Sequence, residues 1–264
     1  MIMTALWGLG YAALVVAAFA LGRYIWRAER GAVIAGQLSM AAGVLLLGAG
    51  VLIRSLRGHG WPLVSWQDTA TGIALLALCF YLVWSLLARE YGAGLIIAVI
   101  ALFLLAFGLA QQIKAPVTTP WRPIDAKMSM FFSMCGGAFL ALAASIGVGG
   151  LGQSLLGARF GNWPWPSSKS QTHTSEAFVR WALFFLAAGL AIDVWWVQKL
   201  DLGMADNAQQ AGIAISWMIY FIAVRFHSHP RWRGWPWSAI LVVGFICVLP
   251  ILLNVSWLEK PFPI

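Results

Sequence analysis

The chemistry open to this 264-residue chain begins with few side chains: His59, His173, His227 and His229, Cys79, Cys135 and Cys247, and Asp193. A zinc site needs three or four ligands, and no carboxylate or thiol accompanies these histidines at a useful spacing. The cysteines all sit inside apolar runs without metal-ligand or redox spacing, so they read as small buried hydrophobes. No Ser-His-Asp or paired-carboxylate arrangement assembles from the spacing either. What remains is single-ligand chemistry. His227 and His229 end an apolar run beside Pro230, Arg231 and Arg233. One reading is a basic helix end at the lipid headgroups; the sharper one makes His227 an axial ligand to haem iron, which neutral imidazole binds well. His173 lies in a polar stretch and reads as solvated. Asp193 lies within an apolar run, where a charge is costly, and is either functional or an acid touching water at the outer interface.

Gly147-Val148-Gly149-Gly150-Leu151-Gly152 has the letters of a dinucleotide-binding motif. That chemistry needs a strand before the glycines and a helix N-terminus after them, so that amide N–H groups aim at a pyrophosphate. Here the motif ends a long uncharged run, where small residues suit close helix packing or helix termination.

The elements that must position these residues are membrane helices. The chain is 61% hydrophobic and 10% charged, against roughly a quarter charged for a soluble domain. Between Lys127 and Arg159 lie 31 residues without a charge, and Trp235–Leu258 adds 24 more. Runs of this length cross a hydrocarbon core about 30 Å thick. The net charge of +8 fits helix ends facing a cytoplasm and anionic lipid, rather than nucleic acid. Most of the sixteen tryptophans flank the runs and read as interfacial anchors.

The pattern predicts an all-α polytopic protein, a single membrane domain over residues 1–264. Its eight spans are Thr4–Gly22, Gly31–Ile53, Thr69–Ala88, Gly92–Ala110, Met128–Gly150, Ala177–Val197, Ala208–Val224 and Trp235–Ser256. Arg23, Arg27 and Arg30 follow the first run and no Lys or Arg precedes it, the reverse of a signal peptide, so Thr4–Gly22 reads as a retained span. With both termini outside, ten of the 17 Lys and Arg residues fall on the cytoplasmic side, as the positive-inside rule asks. The longest inner loop, Leu151–Glu176, reads as an interfacial turn entering a helix near Ser175. The outer segment Lys199–Gln210 reads as a cover for the bundle mouth or a capped loop.

The order of segments resembles the CcsA (ResC) family of cytochrome c assembly proteins. Arg57-Gly58-His59-Gly60-Trp61-Pro62-Leu63-Val64-Ser65-Trp66-Gln67-Asp68 is similar to that family's Gly-His-x-Pro-Leu-Ser-Asn-x-Tyr-Glu-Ser stretch. Trp121 and Met128-Ser129-Met130 resemble its entry into the fifth span. Trp217-Met218-Ile219-Tyr220 through His227, then Trp232-Arg233-Gly234, resembles Trp-Leu-Val-Tyr…His-Thr-Arg…Gly-Trp-Arg-Gly, and Leu253-Asn254-Val255 its final span. The likeness covers residues 55–260. Of the family's tryptophan-rich haem segment, Trp195 and Trp196 remain. Its acids fall on Asn207 and Gln210, its outer histidine before span five on Lys127, and its span-seven histidine on Arg225 by strict counting.

The resemblance implies an eight-span bundle that handles haem for c-type cytochrome biogenesis in the cell inner membrane. His227 (as metal ligand), His59, Trp195, Trp196 and Trp217 are then the cofactor-binding residues, and other membrane subunits and lipid the partners. The lost ligands imply an alternative: a haem-free accessory subunit that keeps the fold and scaffolds a larger cytochrome assembly or electron-transfer complex. A small-molecule transporter fits less well, since inverted repeats and broken midplane helices are not evident in the sequence.

Overall fold

The computed structural model describes residues 2–27, 29–57, 66–114, 124–156, 168–199, 208–227, 232 and 234–253. Among them run eight helices: α1 (Ile2–Arg27), α2 (Arg30–Arg57), α3 (Trp66–Ala88), α4 (Gly94–Lys114), α5 (Ile124–Leu156), α6 (Ser168–Lys199), α7 (Ala208–His227) and α8 (Trp235–Leu252). Each overlaps one of the eight expected spans. Six are long and apolar enough to cross a membrane, while α4 and α7 hold shorter apolar stretches, Gly94–Leu109 and Gly212–Arg225. The protein is an all-α, multi-pass membrane protein.

Two junctions turn on unusual backbone. Between α3 and α4, Arg89 takes φ 56°, a left-handed conformation that costs a non-glycine residue about 1–2 kcal/mol. Gly234, at φ 85°, precedes α8, which has a proline in its first positions, where a missing N–H costs nothing.

Helix α5 is the centre of the bundle. Its apolar window is 78% buried, against 22% for that of α1, and it packs on α6, α8 and α3. Small residues make this possible: Gly136, Gly137, Ala138, Ala141, Ala143, Ala144 and Ser145 bring neighbouring backbones close. Lipid tails are as apolar as leucine, so close van der Waals packing, not burial from water, holds such helices together. An added Cβ at Gly136 would stand 2.7 Å from Leu186, and one at Gly189 of α6 2.9 Å from the Ser133 hydroxyl.

The α1–α2 hairpin uses the same device at a regular period. Gly36, Gly43 and Gly50 of α2 receive Leu21, Leu14 and Trp7 of α1, so both helices step by seven residues in opposite directions. Leu47 fills the reciprocal space at Gly10. Seven-residue steps are those of left-handed helix pairs. A Cβ on Gly43 would lie 2.9 Å from Leu14 and 3.3 Å from the Gly10 carbonyl, whereas one on Gly48 meets nothing within 4 Å. Gly43→Val is expected to cost about 1–3 kcal/mol by overpacking, and Gly48→Ala to be neutral or to gain about 0.5–1 kcal/mol. Melting of both variants in detergent checks this; equal effects would contradict it.

Candidate functional site

Polar side chains inside the described bundle concentrate at the end where α3 turns into α4, α5 finishes and α6 and α8 begin. The sequence placed Ser168–Glu176 in a loop; the structure makes it the first turns of α6. Its polar side chains find partners in the bundle: Gln171 is 6% and Ser175 1% exposed. Buried hydroxyls and amides hold helix only when hydrogen-bonded, and here they are. Gln171 Nε2 donates to Gln153 Oε1 of α5 (3.0 Å), the Trp237 indole of α8 donates to Ser175 Oγ (2.9 Å), and Ser175 Oγ donates to the Thr172 carbonyl (3.1 Å).

A carboxylate stands at each side of this cluster. Ser170 Oγ donates to Glu90 Oε1, from the α3–α4 connection, at 2.5 Å. Glu176 Oε1 takes the exposed Arg180 guanidinium at 2.6 Å, and its Oε2 lies 3.6 Å from His227 Nδ1. Through Ser170 and Glu90, α6 is joined to the first four helices. There, Tyr81 of α3 accepts from Gln37 Nε2 (3.2 Å) and donates to the Tyr91 carbonyl (3.1 Å). Ser85 Oγ lies within donating distance of both Gln37 Oε1 and the Leu82 carbonyl, sharing one proton between them.

Among the described residues, His227 is turned into the bundle rather than outward. It is 5% exposed. One face lies on the Trp237 ring with centroids 4.3 Å apart, Nδ1 faces Glu176, and Nε2 is buried. An axial haem ligand needs an open ring nitrogen over a porphyrin-sized space. The cavity beside this histidine, lined by Gly150, Gln153, Gln171, Ser175, Trp237 and Ser238 among others, holds about 210 Å³, and His227 is not in its lining. That is several waters, and less than the roughly 300–1,000 Å³ of small-molecule sites. The residues around His227 do not fit haem. No group of three or more His, Cys, Asp or Glu among the described residues is placed to hold a metal ion.

The other candidates lie at other depths. Trp217, midway along α7, donates its indole N–H to the Leu183 carbonyl of α6 (3.0 Å) and stacks on Phe221 with centroids 5.0 Å apart. It ties α7 to α6. Trp195 is 53% exposed near the far end of α6, nineteen residues from Glu176 and so roughly 28 Å along the helix. Trp195 and His227 do not share a site. His59, His229 and the segment 200–207 lie outside the described residues, as do the side chains of Trp196 and Asp193.

His173 is exposed, as expected of a solvated residue. Cys135 is buried and Cys79 half-buried, but Cys247 faces outward from α8, since lipid accepts a thiol as readily as a protein core does. The glycines at Gly147–Gly152 lie inside continuous helix, which removes the strand–turn geometry that a dinucleotide site requires. Glu176, Gln171 and Glu90 were not among the sequence candidates; the signal was a polar run rich in Ser and Thr ahead of an apolar one. Against models of protein families, characterised proteins and solved structures alike, the chain finds no match.

Proposed function

We propose that this protein is a haem-free scaffold subunit: a bundle of the CcsA type that holds together a larger cytochrome assembly or electron-transfer complex in the cell inner membrane, with both termini outside. The observation that carries this reading is the setting of His227. The side chain best placed in the sequence to ligate haem is buried, its Nδ1 3.6 Å from Glu176 Oε2 and its ring packed on Trp237. A carboxylate–imidazole–indole group at the meeting of α6, α7 and α8 acts as a clamp between helices. The substitution of Lys127 and Arg225 for the family's histidines points the same way, because charged lysine and arginine are poor iron ligands at neutral pH.

An absorption spectrum of the purified protein from haem-replete cells, oxidised and then reduced, tests it. No stoichiometric Soret band is expected. A Soret band that shifts on reduction, and is lost in a folded, monodisperse His227→Ala variant, would restore the haem-handling reading.

A further inference from the structure

A groove of about 580 Å³ runs between α1 and α4. Its walls are apolar: Val15 and Phe19 from α1, Leu95 and Leu102 from α4. One end is not. Arg23, Trp26 and Arg27 close it, with the two arginine side chains 63% and 70% exposed. Within residues 23–30 three arginines face a single acid, Glu29. Glu29 Oε2 takes Arg23 at 2.8 Å while its Oε1 stands 3.8 Å from Arg27. One carboxylate between guanidiniums leaves positive charge uncompensated at the groove mouth, and a second anion completes the arrangement.

We propose that this groove is a binding site for a phospholipid with an anionic headgroup, one acyl chain lying between α1 and α4 and the phosphate at Arg23 and Arg27. The dimensions agree. Val15 and Arg27 are twelve residues apart, roughly 18 Å along a helix, and one leaflet of the hydrocarbon core is about 15 Å deep. Trp26, 82% exposed, marks the headgroup level, where indole rings settle. Bidentate guanidinium recognition of phosphate supplies the selectivity; a free phosphate would leave the apolar length of the groove unused. Gly22, in the groove wall, keeps it open, since an added Cβ there meets nothing within 4 Å.

The test is lipid retention by the detergent-solubilised protein, read by native mass spectrometry after exchange into mixed micelles doped with phosphatidylglycerol or phosphatidylcholine. The wild type is expected to prefer phosphatidylglycerol by roughly 25-fold, about fivefold for each arginine, with the preference falling as salt rises. Arg23→Gln with Arg27→Gln is expected to abolish the preference and leave weak binding of both lipids. Gly22→Phe, whose Cβ meets no neighbour within 4 Å, is expected to lower retention of both several-fold while the charges remain. Equal retention of the two lipids by the wild type would overturn the proposal. So would a preference that survives the double substitution, displacement by inorganic phosphate, or a Gly22→Phe protein that keeps its lipid but changes oligomeric state, which would give the groove to a partner helix.

Discussion

Trp237→Ala is expected to lower stability by about 3–5 kcal/mol, the range for truncating a large buried aromatic side chain. For a chain of this size that is a fall of roughly 10 °C in melting temperature. Trp237 is 2% exposed, and its ring is the surface on which His227 lies. Removing it opens a cavity where α5, α6, α7 and α8 meet and leaves the His227–Glu176 pair without its floor. Trp237→Phe separates packing from hydrogen bonding. A six-membered ring remains in place of the bicycle, and the indole N–H to Ser175 is lost, while that hydroxyl keeps its bond to the Thr172 carbonyl. A cost of about 1 kcal/mol follows. Melting in detergent with all other tryptophans retained measures both. Trp237→Ala within about 0.5 kcal/mol of wild type, the scale of an ordinary surface substitution, would mean that the junction does not hold the bundle together.

This tryptophan also shows where the sequence stops being informative. Trp235 and Trp237 stand on either side of a proline at a helix entrance, and both look like interfacial anchors. Trp235 does face outward, at 64% exposed. Two residues further turns the helix by about 200° and puts Trp237 inside. Which of the pair faces inward depends on Ser175 and His227, distant in sequence. The same holds for His227 itself: its partner Glu176 lies on another helix, and no spacing rule links them. Ser170 and Glu90 are 80 positions apart.

What was legible is what depends on length and local composition. A membrane helix needs about 20 apolar residues in succession, so eight spans could be counted; a helix stands at each among the described residues, and six of the eight are long and apolar enough to cross. Polar helix ends were not legible by that rule. It treats Ser168–Glu176 as outside, because it asks whether a segment tolerates hydrocarbon and not whether its hydroxyls have partners. The Gly36, Gly43 and Gly50 period was present in the letters, yet apolar counting is blind to it, since glycine and leucine both pass.

The glycine run ending α5 gives the sharpest separation between two accounts of the same letters. Gly147→Val is expected to cost about 3 kcal/mol, the upper part of the usual range for overpacking. The reason is what a Cβ would meet: the Ser238 carbonyl oxygen at 2.9 Å and the Leu241 Cβ at 3.0 Å. A flexible side-chain tip can swing away, but a helix backbone moves only if α8 as a whole shifts from α5. That shift would also pull Ser238 and Trp237 from the polar junction, so the effect reaches His227. Gly152, five residues on in the same motif, meets nothing within 4 Å. Gly152→Ala is therefore expected to be neutral or to gain about 0.5–1 kcal/mol from the better helix former. A dinucleotide-binding turn predicts a different loss at Gly147: its first glycine makes the tight turn and its second admits the pyrophosphate, so a side chain there costs ligand binding, while the third position accepts alanine. Melting temperatures of the two variants, with and without added dinucleotide, decide between them. Opposite signs at the two positions, unchanged by the ligand, are the expected result; a matched loss at both, or a dinucleotide-dependent rise in the wild type, would contradict packing as the reason for these glycines.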